Sequence, residues 1–228
     1  MRVKTIRLLV FLAFAGGLLY SSPLNAQVKD AGLWTSVSFE AKVAKGLTAT
    51  ISEELRFNEN ITETGTIFTD VGLTYKLNKH IQFAGNYRFI QKRTIADYYS
   101  FRHRFYVDVK YSHKLKPFDI SLRSRFQDQY SDIGRASDGG IPEYYFRNKL
   151  SLGLDLNKPY SPYISFELFS PLNYPRYNAF DNIRSTAGIE YAFSKHHKID
   201  IFYTIQKEVN VREPQTDFII GLGYSYKL

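Results

Sequence analysis

Between Tyr99 and Tyr111 apolar and polar residues alternate. Tyr99, Phe101, His103, Phe105, Val107, Val109 and Tyr111 take the odd positions, and Ser100, Arg102, Arg104, Tyr106, Asp108 and Lys110 the even ones. After Lys116 and Pro117 the alternation resumes, with Phe118, Ile120 and Leu122 set against Asp119, Ser121, Arg123 and Arg125. Successive side chains of a strand point to opposite faces, so this stretch predicts a long antiparallel hairpin with one apolar and one strongly polar surface. The same rule predicts further strands at about 31–43, 47–58, 64–77, 81–93, 143–156, 162–170, 181–193, 199–208 and 216–228. None of the chain carries a convincing helical period.

Most of these segments hold about 10 to 15 residues, whereas soluble strands average ~5 to 6 and a tilted strand needs ~9 to 11 to cross a bilayer. The connections also differ in length. Short ones are predicted at 44–46, 78–80, 116–117, 157–161 and 194–198, and longer ones at 131–142 and 171–180. A membrane barrel has short turns on one rim and longer loops on the other. Aromatic residues gather toward segment ends, at Phe57, Tyr75, Phe89, Tyr99, Phe101, Tyr130, Tyr144 and Tyr226, where interfacial girdles sit. The expected fold is therefore all-β: an antiparallel up-and-down transmembrane β-barrel of about ten to twelve strands, closed because an open edge is intolerable in lipid. Eleven segments conflict with the even number usual in bacterial barrels. The expectation is that 31–43 falls short of a full strand, or that a segment near 131–142 is missed or split. A soluble exported sandwich or lipocalin-like barrel shows the same alternation with its oily face turned inward.

The beginning of the chain changes the picture from barrel to exported barrel. Arg2, Lys4 and Arg7 precede a run of 13 mostly apolar residues from Leu8 to Tyr20, and Leu24-Asn25-Ala26 offers a small residue at a cleavage point. That is the pattern of a secretory signal peptide, too short for a spanning helix, which needs ~20 residues. Residues 1–26 are read as the signal and 27–228 as the barrel, with short turns in the periplasm and longer loops outside the cell. The expected location is the cell outer membrane. The chain has no cysteine, which excludes an acylated lipoprotein, disulfides and thiolate metal sites.

The leader holds three of the 30 basic residues and none of the 22 acidic ones, leaving a net charge of +5. These charges are scattered along alternating strands rather than gathered in a patch, so nucleic acid is not an expected partner. The expected partners are outer-membrane lipid and lipopolysaccharide, the barrel-assembly machinery, and a small solute or envelope protein that no residue identifies.

The polar face carries the candidate chemistry. From 81 to 156 it is mostly basic, with Arg88, Lys92, Arg102, Arg104, Lys110, Lys114, Arg123, Arg125, Arg147 and Lys149 against Asp108, Asp119, Glu143 and Asp155. From 162 onward it reads Glu167, Glu190, Asp200, Glu208 and Asp217, with Arg184 and Lys227 as the bases. The expectation is a network of ion pairs across a narrow lumen, built on Arg102, Arg104, Asp108, Lys110, Arg123, Arg125, Arg147, Lys149, Glu167 and Glu190. A hairpin symmetric about 116–117 pairs Asp108 with Arg125 and Lys114 with Asp119. Glu53 breaks the pattern by falling on the apolar side of its segment, and a β-bulge near Glu53 and Glu54 is expected to turn it inward.

No metal site or cofactor is expected: His80, His196 and His197 fall in turns, His103 and His113 on the apolar face, and no HExxH or acidic ligand run accompanies them. Some small outer-membrane barrels are hydrolases acting at the outer rim. Such an enzyme needs a nucleophile and base within reach, and Ser100 and His103, the pair nearest the longer loops, point to opposite faces. The expected role is a non-enzymatic one: narrow channel, small-ligand carrier or structural envelope protein.

The stretches LWTSVSFEAKV, EELRF, VGLTYKLNKH, NYRFI, RHRFYVDV, SPYISFELFSPL, FYTIQKE and GLGYSYKL together resemble the outer-membrane family known as domain of unknown function 2490, over about 31–228. The resemblance implies a porin-like fold in a Gram-negative envelope and carries no activity with it. Many outer-membrane barrels end on an aromatic residue; this chain ends on Leu228, with Tyr226 and Tyr224 behind it.

Overall fold

The computed structural model describes residues 28–131, 143–173, 180–211 and 213–228, so the expected signal region and most of the two longest loops lie outside the described residues. The described chain forms eleven strands: β1 (Val28–Ala44), β2 (Leu47–Asn58), β3 (Glu63–Lys76), β4 (Ile81–Arg93), β5 (Tyr99–Leu115), β6 (Phe118–Ser131), β7 (Glu143–Leu154), β8 (Tyr160–Pro171), β9 (Asn182–Ala192), β10 (His197–Glu208) and β11 (Gln215–Lys227). Each pairs antiparallel with its sequence neighbour, and β1 closes on β11 to complete a barrel.

The closure settles the odd count. β1 is a full strand on both edges: it runs antiparallel to β2 from Leu33↔Phe57 to Ala44↔Leu47, and parallel to β11 from Val28↔Gln215 to Glu40↔Lys227. An alternating meander of eleven strands brings its first and last strands together pointing the same way, so one parallel seam is the geometric consequence. The start of β1 then lies on the rim of the connections at 59–62, 94–98, 132–142, 172–181 and 209–214, and the end of β11 on the rim of the short turns.

The short-turn rim is closed by local chemistry. Gly46 has φ +77°, a conformation a side chain resists, and its carbonyl accepts Lys76 N at 2.7 Å. At the other rim Glu59, Asn60 and Ile61 are all left-handed. The Asp30 carboxylate accepts the amides of Glu59 (3.0 Å) and Asn60 (2.8 Å) there, tying the start of β1 to the β2–β3 loop.

The apolar faces point outward. Phe105, Val107, Leu150, Ile164, Ile201 and Leu222 are among the most exposed side chains of the barrel wall, while Asp70, Arg125, Gln127, Gln129, Arg147 and Glu167 are buried. A soluble protein shows the reverse, because charges leave water only when paired and oily surface is removed from it. An exposed apolar belt around a closed sheet suits the bilayer interior, so the lipocalin-like alternative fails on the direction of its faces. Rings flank the belt at both ends. Toward the longer loops Tyr87, Phe89, Phe101, His103 and Phe105 form a contiguous set, and toward the short turns Tyr191, Phe193, His197 and Tyr226 form another.

Glu53 does not turn inward. β2 runs through it in unbroken register, Glu53 opposite Val37 and Thr69, and the irregularity in this strand falls later, at Arg56/Phe57. Glu53 is exposed on the outer face while Glu54 faces the lumen, because a strand in register keeps its alternation and a single charge does not supply enough free energy to break the ladder on both sides.

Candidate functional site: the charged lumen

Among the described residues, side chains of the inner face enclose a cavity toward each rim. The one toward the longer loops has a volume of about 660 Å³, and the one toward the short turns about 1050 Å³, with Lys149 in the wall of both. Ten Lys and Arg side chains but five carboxylates line the first; five lysines and four carboxylates line the second. Even with Asp70 and Asp108, which lie behind Arg88 and Arg125, the long-loop-side cavity keeps an excess of positive charge.

Register explains how the cations come together. Across β4–β7 the inner face places Arg88 opposite Arg104, Lys110 opposite Arg123, Arg123 opposite Lys149 and Arg125 opposite Arg147. Like charges directly opposed are destabilising, so each arginine is held by something else. Arg125 grips Asp108 through two bonds, Nε to Oδ1 at 2.7 Å and Nη2 to Oδ2 at 2.8 Å, across the hairpin. Arg88 reaches Asp70 at 2.7 Å, and Tyr106 donates to the same carboxylate at 2.8 Å. Arg56 is bonded to Glu54 at 2.6 Å.

Glu167 is the anionic hub. Its carboxylate is 3% exposed; it accepts from Arg123 and from Arg147 at 2.8 Å, with Arg184 at 3.8 Å. It stands in register between Lys149 and Arg184, so a single carboxylate serves arginines from β6, β7 and β9.

Aromatic rings on the inner face cover the flat sides of these guanidiniums. Arg56 lies 3.6 Å over Trp34 and 4.5 Å over Phe68, Arg125 3.8 Å over Tyr106, and Arg147 4.1 Å over Phe169. Arg184, from β9, reaches the same Trp34 ring at 4.9 Å. Side chains of β9 and β2 thus meet over β1, and the bore is spanned at that level. Cation–π stacking leaves the N–H edges of each guanidinium free to meet acceptors.

Of the ten residues expected from the sequence, Arg102, Arg104, Arg123, Arg125, Arg147, Lys149 and Glu167 line the long-loop-side cavity, with Asp108 behind Arg125; Lys110 and Glu190 line the other. Asp108 with Arg125 and Lys114 with Asp119 are register partners. The pairing is local: Glu167 of the later, acidic set takes Arg123 and Arg147 of the earlier, basic set from the nearby strands. Glu190 meets Lys198 at 3.0 Å on the adjacent strand, Asp200 accepts the Tyr163 hydroxyl at 3.0 Å, and Glu208 accepts Gln215 N at 3.1 Å. Carboxylates on β8–β11 find donors within one or two strands before any side chain crosses the bore. Glu54, Arg56 and Asp70 were not anticipated. Parity within β2 and β3 marks them as inward, and only the register of β3 against β4 brings Asp70 to Arg88. Trp34, Phe68 and Phe169 are large apolar residues on the polar face, which alternation cannot flag.

The histidines lie in the girdles and turns. His103 is outside the barrel, its Nδ1 at 2.7 Å from the Tyr87 hydroxyl, while the Ser100 hydroxyl donates to Lys92 O at 3.3 Å, so the two do not meet. His196 and His197 bind Lys227 O and the Tyr224 hydroxyl. Among the described residues no group of three His, Asp or Glu could hold a metal ion. At the rim, burial pushes the Asp181 carboxyl up, and the Tyr145 hydroxyl donates to it at 2.8 Å.

A closed sheet with an oily exterior, aromatic girdles and a charged interior defines an outer-membrane-type β-barrel with a constricted lumen. The chain belongs to the family described as Protein of unknown function (DUF2490), which it matches over residues 31–217. No curated protein matches it. Among solved structures it is similar to the NanC porin, at 14% identity over 77% of this chain and 85% of that one, with a TM-score of 0.49. It is also similar to the beta domain of the Bordetella autotransporter BrkA, at 11% identity over 80% and 82% respectively, with a TM-score of 0.48.

Proposed function

We propose that the protein, after removal of residues 1–26, resides in the outer membrane and forms a narrow, non-enzymatic passage that favours small anionic solutes. The observation that carries this reading is that Lys149 stands in the walls of both cavities, combined with ten cations against five carboxylates around the first of them. Eleven strands give a bore far narrower than that of 16- to 18-stranded porins, and the side chains that meet over Trp34 narrow it further. Repeated guanidinium edges in a confined site draw in anions and repel cations. The non-enzymatic part of the reading is supported by the separation of Ser100 from His103 on opposite faces.

Lipid and lipopolysaccharide contact the outer belt in this reading, and the assembly machinery inserts the barrel with its short turns in the periplasm. The test is single-channel recording of the purified protein in planar bilayers under a KCl gradient. A small current favouring chloride is expected, and Arg102→Glu with Arg104→Glu, neither of which is ion-paired among the described residues, should shift the preference toward potassium. A wide, unselective current that ignores these substitutions overturns the proposal.

A further inference from the structure

Three arginines of the inner face are held by neutral acceptors. Arg104 Nε donates to Gln129 Oε1 at 3.0 Å, Arg184 Nε to Gln206 Oε1 at 2.9 Å, and Arg147 Nη1 to Gln127 Oε1 at 3.1 Å. Gln127 and Gln129 are each 5% exposed, and the Gln129 amide donates to Glu143 Oε2 at 2.9 Å, which fixes its oxygen toward Arg104. A glutamine oxygen accepts the same bond as a glutamate oxygen but brings no charge. Arg104 is therefore oriented as in an ion pair while its charge stays uncompensated among the described residues, and Arg147 and Arg184, at 2.8 and 3.8 Å, share the single carboxylate of Glu167 with Arg123.

Other cations of the same cavity share this condition. Lys92, Arg102 and Arg104 form no ion pair among the described residues. Among the described residues, Arg102 Nε and Arg123 Nε are buried without a hydrogen-bond partner. Arg104 also faces Arg88 directly across β4–β5. Buried, uncompensated cations are costly, and the cost is relieved when an anion arrives. Planar N–H edges match the two oxygens of a carboxylate. The cations stand on well-separated walls, with Lys92, Arg102 and Arg104 on β4–β5 and Arg184 on β9, and a cavity of about 660 Å³ has room for a small organic molecule.

We propose that the long-loop-side cavity is a binding site for small solutes carrying two or more carboxylates. Gln129 and Gln206 act as positioning residues that aim Arg104 and Arg184 without neutralising them. The proposal rests on the reading of the lumen as an anion passage and names the class of anion.

The experiment is calorimetric titration of citrate into the detergent-solubilised full barrel, as wild type and as Gln129→Glu, Gln206→Glu and Gln82→Glu. Gln82 lines the other cavity, opposite Lys76 and Lys110, and holds none of these arginines. Wild type should bind citrate, Q129E and Q206E should each weaken binding by about tenfold or more because a fixed carboxylate now occupies the arginine, and Q82E should bind as wild type. The melting temperature should hold or rise in Q206E, which converts a neutral bond to an ion pair, whereas in Q129E the new ion pair is offset by the lost bond to Glu143 and the repulsion between the two carboxylates. No binding by wild type, or unchanged binding in Q129E and Q206E, overturns the proposal. Chloride preference without citrate binding overturns this inference and leaves the passage standing. Citrate binding lost in Q129E, in a barrel that conducts nothing, overturns the passage and upholds the site.

Discussion

At the scale of single residues, two carboxylates with opposite surroundings show how the barrel treats charge. Glu53 lies near the middle of β2 on the outer face between Val37 and Thr69, with Ile51 and Leu55 of its own strand on the same side. A carboxylate on the lipid face near mid-strand is unfavourable, though less so than a lysine or arginine. Glu53→Leu is expected to stabilise the barrel by about 1–2 kcal/mol in reversible urea unfolding from lipid vesicles, with conductance unchanged. Destabilisation, or a change in current, would show that the carboxylate has a partner. Glu167 is the reverse case, buried among Arg123, Arg147 and Arg184. Glu167→Gln keeps the shape but leaves those guanidiniums facing one another, so a loss of about 3 kcal/mol is expected, with a larger and more chloride-selective current. Full stability in the same unfolding assay would mean that lumen water, not Glu167, balances the arginines.

At the scale of elements, the inner wall of β8–β11 depends on small residues opposite large ones. Tyr163, Gly188, Phe202, Gly221 and Trp34 form one row around the barrel in register. The Phe202 ring lies so flat over Gly221 that a Cβ there would come within 2.0 Å of it, and one at Gly188 would meet Tyr163 at 2.7 Å and Phe202 at 2.8 Å. Glycine is required here by the approach of the ring, because any side chain must push Phe202 off the wall into the bore. Gly221→Val is expected to cost about 1–3 kcal/mol from overpacking and to reduce conductance together with stability. Loss of stability with an unaltered current would place the displaced ring elsewhere than in the lumen.

At the scale of the whole molecule, the parallel seam is the feature that most needs a direct check. β1 and β11 bring Ser38 opposite Ser225, with their hydroxyl oxygens 2.9 Å apart. The chain has no cysteine of its own, so Ser38→Cys with Ser225→Cys gives an unambiguous probe. Neighbouring strands lie about 4.8 Å apart, within the Cα separation that a disulfide spans, and oxidation should cross-link the two ends of the chain nearly completely, visible as a mobility shift that reductant reverses. Failure to cross-link in a folded barrel would overturn the eleven-stranded closure. A closed sheet also has no edge from which to fray, so the purified protein should run as a compact species in gel sample buffer until it is boiled.

Strand positions, the two faces of the sheet and the inward set on β4–β7 were legible in the sequence because each follows from a period of two, which any single strand carries within itself. Arg102, Arg104, Arg123, Arg125, Arg147 and Lys149 could be assigned to the polar face on that basis alone, and a symmetric turn sufficed to pair Asp108 with Arg125. Tertiary structure decided what depends on relations between strands. The direction of the apolar face required the sheet to close around a charged interior, and the number eleven required a parallel seam that no local pattern announces. Asp70 on Arg88, Glu167 among arginines of β6, β7 and β9, and the glutamines that orient Arg104 and Arg184 all depend on register, stagger and curvature. Glu53 marks the boundary between the two kinds of information: its parity placed it outside, and the continuity of hydrogen bonding on both edges of β2 kept it there.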